Sequence, residues 1–232
     1  MKMYDLFENS LFFGAGLSLL AYEFGLILKK KFKLAIFNPL LISIICVAAV
    51  LLLGDIDYET YNAGGKYISY LLTPATVCLA VPLYEQLELL KKNLLAVMAG
   101  IVSGVISSMG NVFLFSLLFG FNHKEYVTLL PKSITTAIGM GVSEELNGIV
   151  PITVASIIIT GIIGNVIADG VFKLFRIKNP IARGLSLGTA AHAIGTSKAM
   201  ELGETEGAMG SLSIAVSGLL TVLTASLFAG LI

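Results

Sequence analysis

Two stretches of this chain place hydroxyl side chains beside a basic group, within sequence that is otherwise apolar. The first is 185–200, LSLGTAAHAIGTSKAM, and the second begins at Leu129 with LLPKSITTAIG. The candidate binding residues of the first are Thr189, His192, Gly195, Thr196 and Ser197, and those of the second are Lys132, Ser133, Thr135 and Thr136. Hydroxyls and one cation can replace the water around a carboxylate and still release it, whereas a bidentate arginine would hold it tightly. The two stretches are therefore candidate parts of one binding site, whose donors would suit a carboxylate group.

The two basic residues each have a second interpretation. Free histidine titrates near neutral pH, so His192 is the candidate for proton coupling, but a histidine hydrogen-bonded inside a helix bundle is the alternative. Lys132 could attract a carboxylate, or it could be an interfacial lysine whose ammonium group reaches water. The hydroxyls that follow Lys132 could also bond back to their own helix. Polar side chains inside membrane spans are nevertheless functional-site candidates by default.

The composition indicates an all-α integral membrane protein. Of 232 residues, 56% are hydrophobic and only 13% are charged, and the mean hydropathy is +0.90. A soluble domain carries about 25% charged residues, so too little charge remains here to cover a surface in water. The formal net charge of +0 gives no basic surface for nucleic acid.

No pattern in the chain indicates an enzyme, a cofactor or a metal site. There is no phosphate-binding loop and no G-x-S-x-G turn for a nucleophile. Cys46 and Cys78 lie in apolar stretches without metal-ligand spacing. We therefore expect neither catalysis nor a bound metal or cofactor.

The apolar stretches predict about seven spans within a single transmembrane domain covering 1–232. They are 9–28, 34–54, 67–84, 94–120, 149–175, 184–201 and 208–231. Their continuously apolar character favours helices over β-strands, in which apolar and polar residues would alternate. The stretch 128–147 is more polar, and we expect it to be a re-entrant element; the alternative is that it crosses fully and a neighbour does not. Gly100 and Gly104 form a G-x-x-x-G motif that predicts a close helix contact.

Charge in the loops predicts the orientation of the spans in a multi-pass protein of the cell membrane. The loops 29–33, 85–93 and 173–183 are basic, whereas 55–66 and 201–207 are acidic. Basic residues in short loops mark the inner side. The pattern predicts an outer N-terminus and an inner C-terminus.

Short motifs recur at a nearly constant offset. VSG occurs at 102–104 and 216–218, and TPAT at 73–76 corresponds to GTAA at 188–191. We predict two inverted repeats of three spans each, repeat one at about 34–120 and repeat two at about 149–232. Transporters built in this way place their site where interrupted helices of the two halves meet. That prediction adds Thr73 and Thr76 to the candidate substrate-binding residues.

Three segments resemble the LrgB family of membrane proteins, also called CidB-like, and the resemblance runs over nearly the whole chain. They are LTPATVCLAVPLYEQL (72–87), LLPKSITTAIGMGVSEELNGI (129–149) and IKNPIARGLSLGTAAHAIGTSKAMELGETEGAMG (177–210). The resemblance implies one of two functions. The first is secondary transport of small monocarboxylates such as glycolate, glycerate, pyruvate or lactate, to which the residue type of His192 adds the prediction of proton coupling. The second is a holin- or antiholin-like regulator of murein hydrolases and cell lysis, acting with a small LrgA- or CidA-like membrane partner.

The two polar interruptions favour transport over regulation, because a scaffold needs oligomerising faces and not a matched pair of broken segments. The expected partners are then a small carboxylate, the lipid bilayer and a second copy of the chain in a homo-oligomer, with no nucleic acid.

Overall fold

Every regular element in the described part of the chain is a helix. The computed structural model describes residues 12–32, 37–71, 74, 77–78 and 80–232. The predicted all-α class is confirmed within these residues. By its internal contacts the chain divides into two compact units, Met1–Cys78 and Leu79–Ile232.

The first unit holds α1 (Phe13–Phe32), α2 (Pro39–Leu53) and α3 (Tyr58–Ser69). The backbones of α1 and α2 approach closely, because a Cβ added to Gly25 would lie 2.7 Å from the carbonyl oxygen of Pro39. The hydroxyls of Ser18 in α1 and Tyr61 in α3 are 2.8 Å apart and share a hydrogen bond. Glycine and hydroxyl contacts of this kind are how helices associate in lipid, where no hydrophobic force drives them together.

The second unit contains three helices that are long and apolar enough to cross a bilayer. Its elements are α4 (Ala80–Glu85), α5 (Leu87–Phe119), α6 (His123–Leu129), α7 (Thr136–Glu145), α8 (Val150–Leu174), α9 (Pro180–Leu202) and α10 (Glu204–Ala229). The three candidates are α5, α8 and α10, with 33, 25 and 26 residues. They agree with three of the predicted spans, 94–120, 149–175 and 208–231.

Helix ends follow the local sequence. Two helices begin with asparagine followed by proline, and in each the asparagine caps the helix. The Oδ1 atom of Asn38 accepts from the backbone of Leu40 at 2.9 Å, and that of Asn179 accepts from Ala182 at 3.3 Å. Proline at the first helical position loses no internal hydrogen bond. The helix α5 ends where Gly120 takes a left-handed φ of 67°, a conformation that glycine adopts without steric cost.

The segment 123–145, named hairpin 1, is a helical hairpin formed by α6, a turn and α7. The hydroxyl of Thr153 in α8 lies 2.8 Å from the carbonyl oxygen of Thr128 in α6 and 2.7 Å from Oγ of Ser143 in α7. Both arms therefore contact α8 at the same residue, near its first turn. The turn between the arms lies farther inside the second unit. With 7 and 10 residues, the arms are about 10 and 15 Å long, too short to cross a hydrocarbon core of about 30 Å.

The helix α9, named hairpin 2, is a second hairpin and not a straight rod. Helical geometry fails at Ala191 and at His192, where φ is 42° and ψ is −132°. A Cβ on Gly195 would lie 2.9 Å from the carbonyl carbon of Leu187. Eight residues along a straight helix would separate these groups by about 12 Å, so the chain reverses at the break. The first arm is 180–190 and the second arm is 193–202.

Both arms of hairpin 2 pack on the first turns of α10. Gly184 and Gly188 of the first arm lie against the backbone of Glu206 and Gly210, respectively. Met200 of the second arm packs within the same turns, against Gly207 of α10. The start of α10 thus lies beside the start of hairpin 2.

The two hairpins enter the second unit from opposite ends. At one end α8 finishes and hairpin 2 and α10 begin; we name it the basic end, because it carries Lys173, Arg176, Lys178 and Arg183. At the opposite end α8 begins and α10 finishes beside hairpin 1, where the hydroxyl of Tyr126 donates to the carbonyl oxygen of Phe228 at 2.8 Å. A hairpin followed by a long helix therefore occurs twice, in opposite directions.

The predicted span at 184–201 is wrong, because hairpin 2 does not cross the unit. The segment returns to the end from which it started, so the acidic loop 201–207 lies at the same end of the unit as the basic loop 173–183. The prediction failed because hydropathy sums residues in order and does not register a reversal of the chain.

The predicted span 67–84 is not one helix, since α3 finishes at Ser69 and α4 begins at Ala80. The predicted pair of repeats at about 34–120 and 149–232 stays a prediction, because residues 34–36, 72–73, 75–76 and 79 of the first copy lie outside the described residues.

Candidate functional site

The tips of the two hairpins face one space in the middle of the second unit. A cavity of about 1040 Å³ is lined by α5, the tip of hairpin 1, α8 and the first arm of hairpin 2. It runs from Asn93 and Asn179 at the basic end to Ser108 and Lys132, halfway along α5. A small void of about 10 Å³ at the hairpin tips is lined by Ser108, by Ser133 and by Thr189.

Lys132 carries the cation of this cavity. Its Nζ atom donates to Oγ of Ser133 at 3.1 Å and to Oγ of Ser108 at 3.5 Å. The hydroxyl of Ser108 donates in turn to that of Ser133, at 2.8 Å. The turn of hairpin 1 holds Lys132 and Ser133, because backbone bonds from Lys132 to Leu129 and from Ile134 to Pro131 close it.

No carboxylate of the described residues lies within ion-pair distance of Lys132. Lys198 forms an ion pair with Asp169 at 2.9 Å, away from this cavity lining. A partly buried ammonium group with two hydroxyl neighbours but no anion is incompletely compensated. The end of the cavity at the hairpin tips therefore has a positive potential, which suits an anionic ligand.

Thr189 contributes an unsatisfied hydroxyl from the facing hairpin. The residue is 6% exposed, and its Oγ1 atom has no hydrogen-bond partner. Its methyl group packs against Gly104 of α5, where a Cβ would leave no room. A buried hydroxyl without a partner costs about 1–3 kcal/mol, a cost that a ligand in the cavity would remove.

His192 lies at the break of hairpin 2 but does not line the cavity. Its ring packs against Gly161, where an added Cβ would lie 2.7 Å from Cε1. Its Nε2 atom donates to the carbonyl oxygen of Ile157 in α8 at 2.9 Å. The residue is 3% exposed. In this arrangement His192 connects hairpin 2 to α8, which agrees with the alternative of a histidine hydrogen-bonded inside a helix bundle. Its role in proton coupling stays a prediction.

The other predicted residues of hairpin 2 point elsewhere. Gly195 packs against the first arm at Leu187, and Thr196 is fully buried against Gly210 of α10. Ser197 is exposed. These three residues therefore do not join Thr189 in the lining of the cavity.

Two predicted residues of hairpin 1, Thr135 and Thr136, are also absent from the lining. Thr135 occupies the N-cap position of α7 without a side-chain hydrogen bond to the helix, and Thr136 is the first helical residue; both are half-buried just beyond the tip. Thr73 and Thr76 lie outside the described residues. The structure thus brings Lys132, Ser133 and Thr189 together from the predicted set.

Sequence reasoning missed Ser108 and the polar face of α5 that continues from it. Ser103, Ser107 and Asn111 line the same cavity, and they recur at helical spacing within an apolar span. Polar residues inside a span are the signal that could have found them. The close contact predicted for Gly100 and Gly104 is confirmed, because both approach the first arm of hairpin 2.

The described residues hold no cluster of histidine, cysteine, aspartate or glutamate suited to a metal ion. The chemistry available in the cavity is that of a cation and hydroxyl donors, which can bind an anion without reacting with it.

Comparisons with known proteins identify similar chains. A family model described as the LrgB-like family matches residues 18–231. The antiholin-like protein LrgB of Bacillus cereus strain B4264 is 39% identical over 218 residues, which cover 94% of this chain and 95% of the relative. The protein of the same name from Bacillus anthracis strain A0248 has the same identity and coverage. No solved structure matches this chain.

Proposed function

Because the chain belongs to the LrgB-like family, we propose that it is a multi-pass protein of the cell membrane that carries small monocarboxylates of the pyruvate, lactate, glycolate and glycerate kind. The observation that supports this proposal is the charge of Lys132, which has two hydroxyl neighbours but no carboxylate partner. It lies at the end of a large cavity nearest the hairpin tips. The substrate class also rests on the family resemblance.

A small carboxylate fits the donors of the cavity. Its oxygens can accept from the ammonium group of Lys132 and from the hydroxyls of Ser133 and Thr189. Hydrogen bonds to an ionised group are roughly twice as strong as neutral ones, which makes the lysine the main anchor. The 2-hydroxy or 2-keto oxygen of such an acid can reach polar groups on α5 such as Ser107 and Asn111, which line the same space.

The hairpins suit a transport cycle. Turns and broken helices at membrane depth are tolerated only where protein buries them or where they line a water-filled cavity. We propose that both hairpins are re-entrant, including the predicted element 128–147, and that their tips meet near the midplane. Movement of one hairpin relative to the other would open the site to alternate sides, as in transporters with interrupted helices.

We place the basic end at the cytoplasm, because lysine and arginine near span ends mark that side. The cavity would then open inward along Asn93 and Asn179. The C-terminus would lie outside, opposite to the sequence prediction, because hairpin 2 removes one crossing. The predicted outer N-terminus stays a prediction.

Uptake of a labelled monocarboxylate into proteoliposomes tests the carrier. The wild type should accumulate the acid, and Lys132→Met should lose about tenfold or more in apparent affinity, since a hydrogen bond to a charged group is worth about 1.5–3 kcal/mol. Lys124→Met is the matched control, because Lys124 is an exposed lysine of the same hairpin and should leave uptake unchanged. Normal uptake by Lys132→Met, or no uptake by the wild type, would contradict the carrier.

The second candidate is an antiholin-like role in cell lysis, and the names of the relatives support it more directly than they support transport. A small LrgA- or CidA-like partner and a homo-oligomer would belong to this role. It predicts that murein hydrolase activity and lysis of cells that express the protein respond to deletion of the chain but not to Lys132→Met. A lysis phenotype that follows the uptake defect of Lys132→Met would instead make transport the cause.

A further inference from the structure

A second pocket lies at the basic end, where α8 finishes and hairpin 2 begins. Its volume is about 290 Å³, and it is separate from the carboxylate cavity in its lining. Four cationic residues surround it: Lys173, Arg176, Lys178 and Arg183. Four positive side chains around one small space repel one another unless an anion lies between them.

Arg183 is preorganised at this pocket. Its Nε atom donates to the carbonyl oxygen of Ile177 at 2.8 Å, and its guanidinium lies 5.5 Å from the ring centroid of Phe172. Its two terminal nitrogens donate to no acceptor among the described residues. A planar fork fixed on one side and free on the other is suited to two oxygens of a phosphate.

Arg176 occupies a backbone conformation that favours glycine. The end of α8 closes with bonds from Ile177 to the carbonyl of Phe172 at 2.8 Å and from Arg176 to that of Lys173 at 3.3 Å. This is a Schellman motif, and Arg176 has the left-handed φ of 55° that glycine usually supplies. An arginine here adds a cation at the mouth of the pocket, at a cost in backbone strain.

The acidic group of the pocket does not neutralise these four cations. Asp169 lines the same space, but its carboxylate is paired with Lys198 of hairpin 2 at 2.9 Å. The ion pair is neutral as a unit, so among the residues that line the pocket the four other charges stay in excess.

Two exposed apolar residues lie between lining residues Lys173 and Arg176 in the chain and indicate a lipid as the source of the anion. Leu174 and Phe175 are 76% and 69% exposed, and they end a helix long and apolar enough to span a bilayer. Large apolar side chains next to a basic pocket at a span end match acyl chains beside a phosphate. A free phosphate ion would gain nothing from them.

We propose that this pocket binds the phosphate headgroup of an anionic glycerophospholipid. Arg183 and Arg176 hold the phosphate, Lys173 and Lys178 add charge, and Leu174 and Phe175 contact the acyl chains. Basic pockets between membrane helices on the cytoplasmic side bind anionic headgroups in this way. The site is independent of the carrier proposal, since its lining shares no residue with the carboxylate cavity.

Native mass spectrometry of the full-length protein in detergent tests the site, with phosphatidylglycerol and phosphatidylcholine of equal acyl chains as probes. The wild type should retain phosphatidylglycerol preferentially. Arg176→Gly combined with Lys178→Gln should weaken that retention on the order of tenfold. This variant keeps the fold, because glycine favours the conformation at 176, and thermal unfolding without lipid checks it.

The matched control is Lys91→Gln with Lys92→Gln, an exposed basic pair at the start of α5 that does not line the pocket. It should retain phosphatidylglycerol within about twofold of the wild type, a difference below 1 kcal/mol. Equal loss in this control, or equal retention of phosphatidylcholine by the wild type, would show general attraction to the surface and overturn the site. Displacement of the lipid by equimolar inorganic phosphate would overturn the lipid as occupant.

Discussion

Hairpin 1 and hairpin 2 reach the same cavity from opposite ends, but different interactions hold them. Hairpin 1 is anchored by side-chain hydroxyls, with Thr153 of α8 joining Thr128 and Ser143 across its two arms. The first arm of hairpin 2 is anchored by close backbone packing, with Gly184 and Gly188 against α10, and a hydrogen bond from His192 holds its tip. In lipid both devices replace the hydrophobic force that drives soluble helices together.

The difference shows how to distinguish a structural hydroxyl from one that is available to a ligand. Thr153 is fully buried and its hydroxyl has partners, so it holds the fold. Thr189 and Thr196 are buried in hairpin 2 and their hydroxyls have no partners, but Thr189 is a residue of the cavity lining whereas Thr196 packs on Gly210 of α10. An unpaired hydroxyl is a binding group only where a ligand can reach it.

Cysteine labelling in intact cells or oriented vesicles tests the reversal in hairpin 2, with an all-or-none outcome. In a background with Cys46 and Cys78 replaced by serine, Lys178→Cys and Glu204→Cys should react from the same side of the membrane. A cysteine at Lys124, in hairpin 1, should react from the other side. The reversal is wrong if Glu204→Cys reacts with the reagent that reaches the Lys124 position.

His192→Ala tests the tie at the tip of hairpin 2. Loss of a buried ring and its hydrogen bond to Ile157 should lower the free energy of unfolding by about 3 kcal/mol, measured by thermal unfolding in detergent. The control is His123→Ala, because His123 is an exposed histidine that contacts the chain terminus; it should cost far less. A variant of normal stability whose uptake no longer depends on pH would instead support proton coupling.

Thr153→Val tests the anchor of hairpin 1. The change removes a buried hydrogen-bond partner from the carbonyl of Thr128 and from the hydroxyl of Ser143. The free energy of unfolding should fall by about 2 kcal/mol. Ser156→Ala on the same helix is the control, since the Ser156 hydroxyl donates to its own helix and should change stability by about 0.5 kcal/mol or less. Equal effects of the two changes would show that the network across hairpin 1 adds nothing.

Thr189→Val and Thr196→Val give the smallest and most selective effect. Each removes an unpaired buried hydroxyl at constant shape, so both should raise the free energy of unfolding by about 1 kcal/mol. Thr189→Val should also weaken carboxylate binding about fivefold, whereas Thr196→Val should leave it unchanged; uptake kinetics measure the difference. Identical kinetics of the two variants would remove Thr189 from the site.

The amino-acid sequence determined the class of the protein and the polar residue types of the candidate site. Low charge and long apolar stretches required an all-α membrane chain, because transfer free energies add along the sequence whatever the fold. The unusual polarity of 129–136 and 185–200 marked the two hairpin tips for the same reason. Lys132, Ser133 and Thr189 came from these local signals alone.

The tertiary structure decided which polar groups face the cavity. Thr189 and Thr196 are seven residues apart and would share one face of a continuous helix, so the sequence grouped them with His192. The reversal at His192 gives them different neighbours, and Ser108 enters the site from a helix that the sequence treated as apolar packing. Contacts between distant segments fix such choices, and no property summed along the chain contains them.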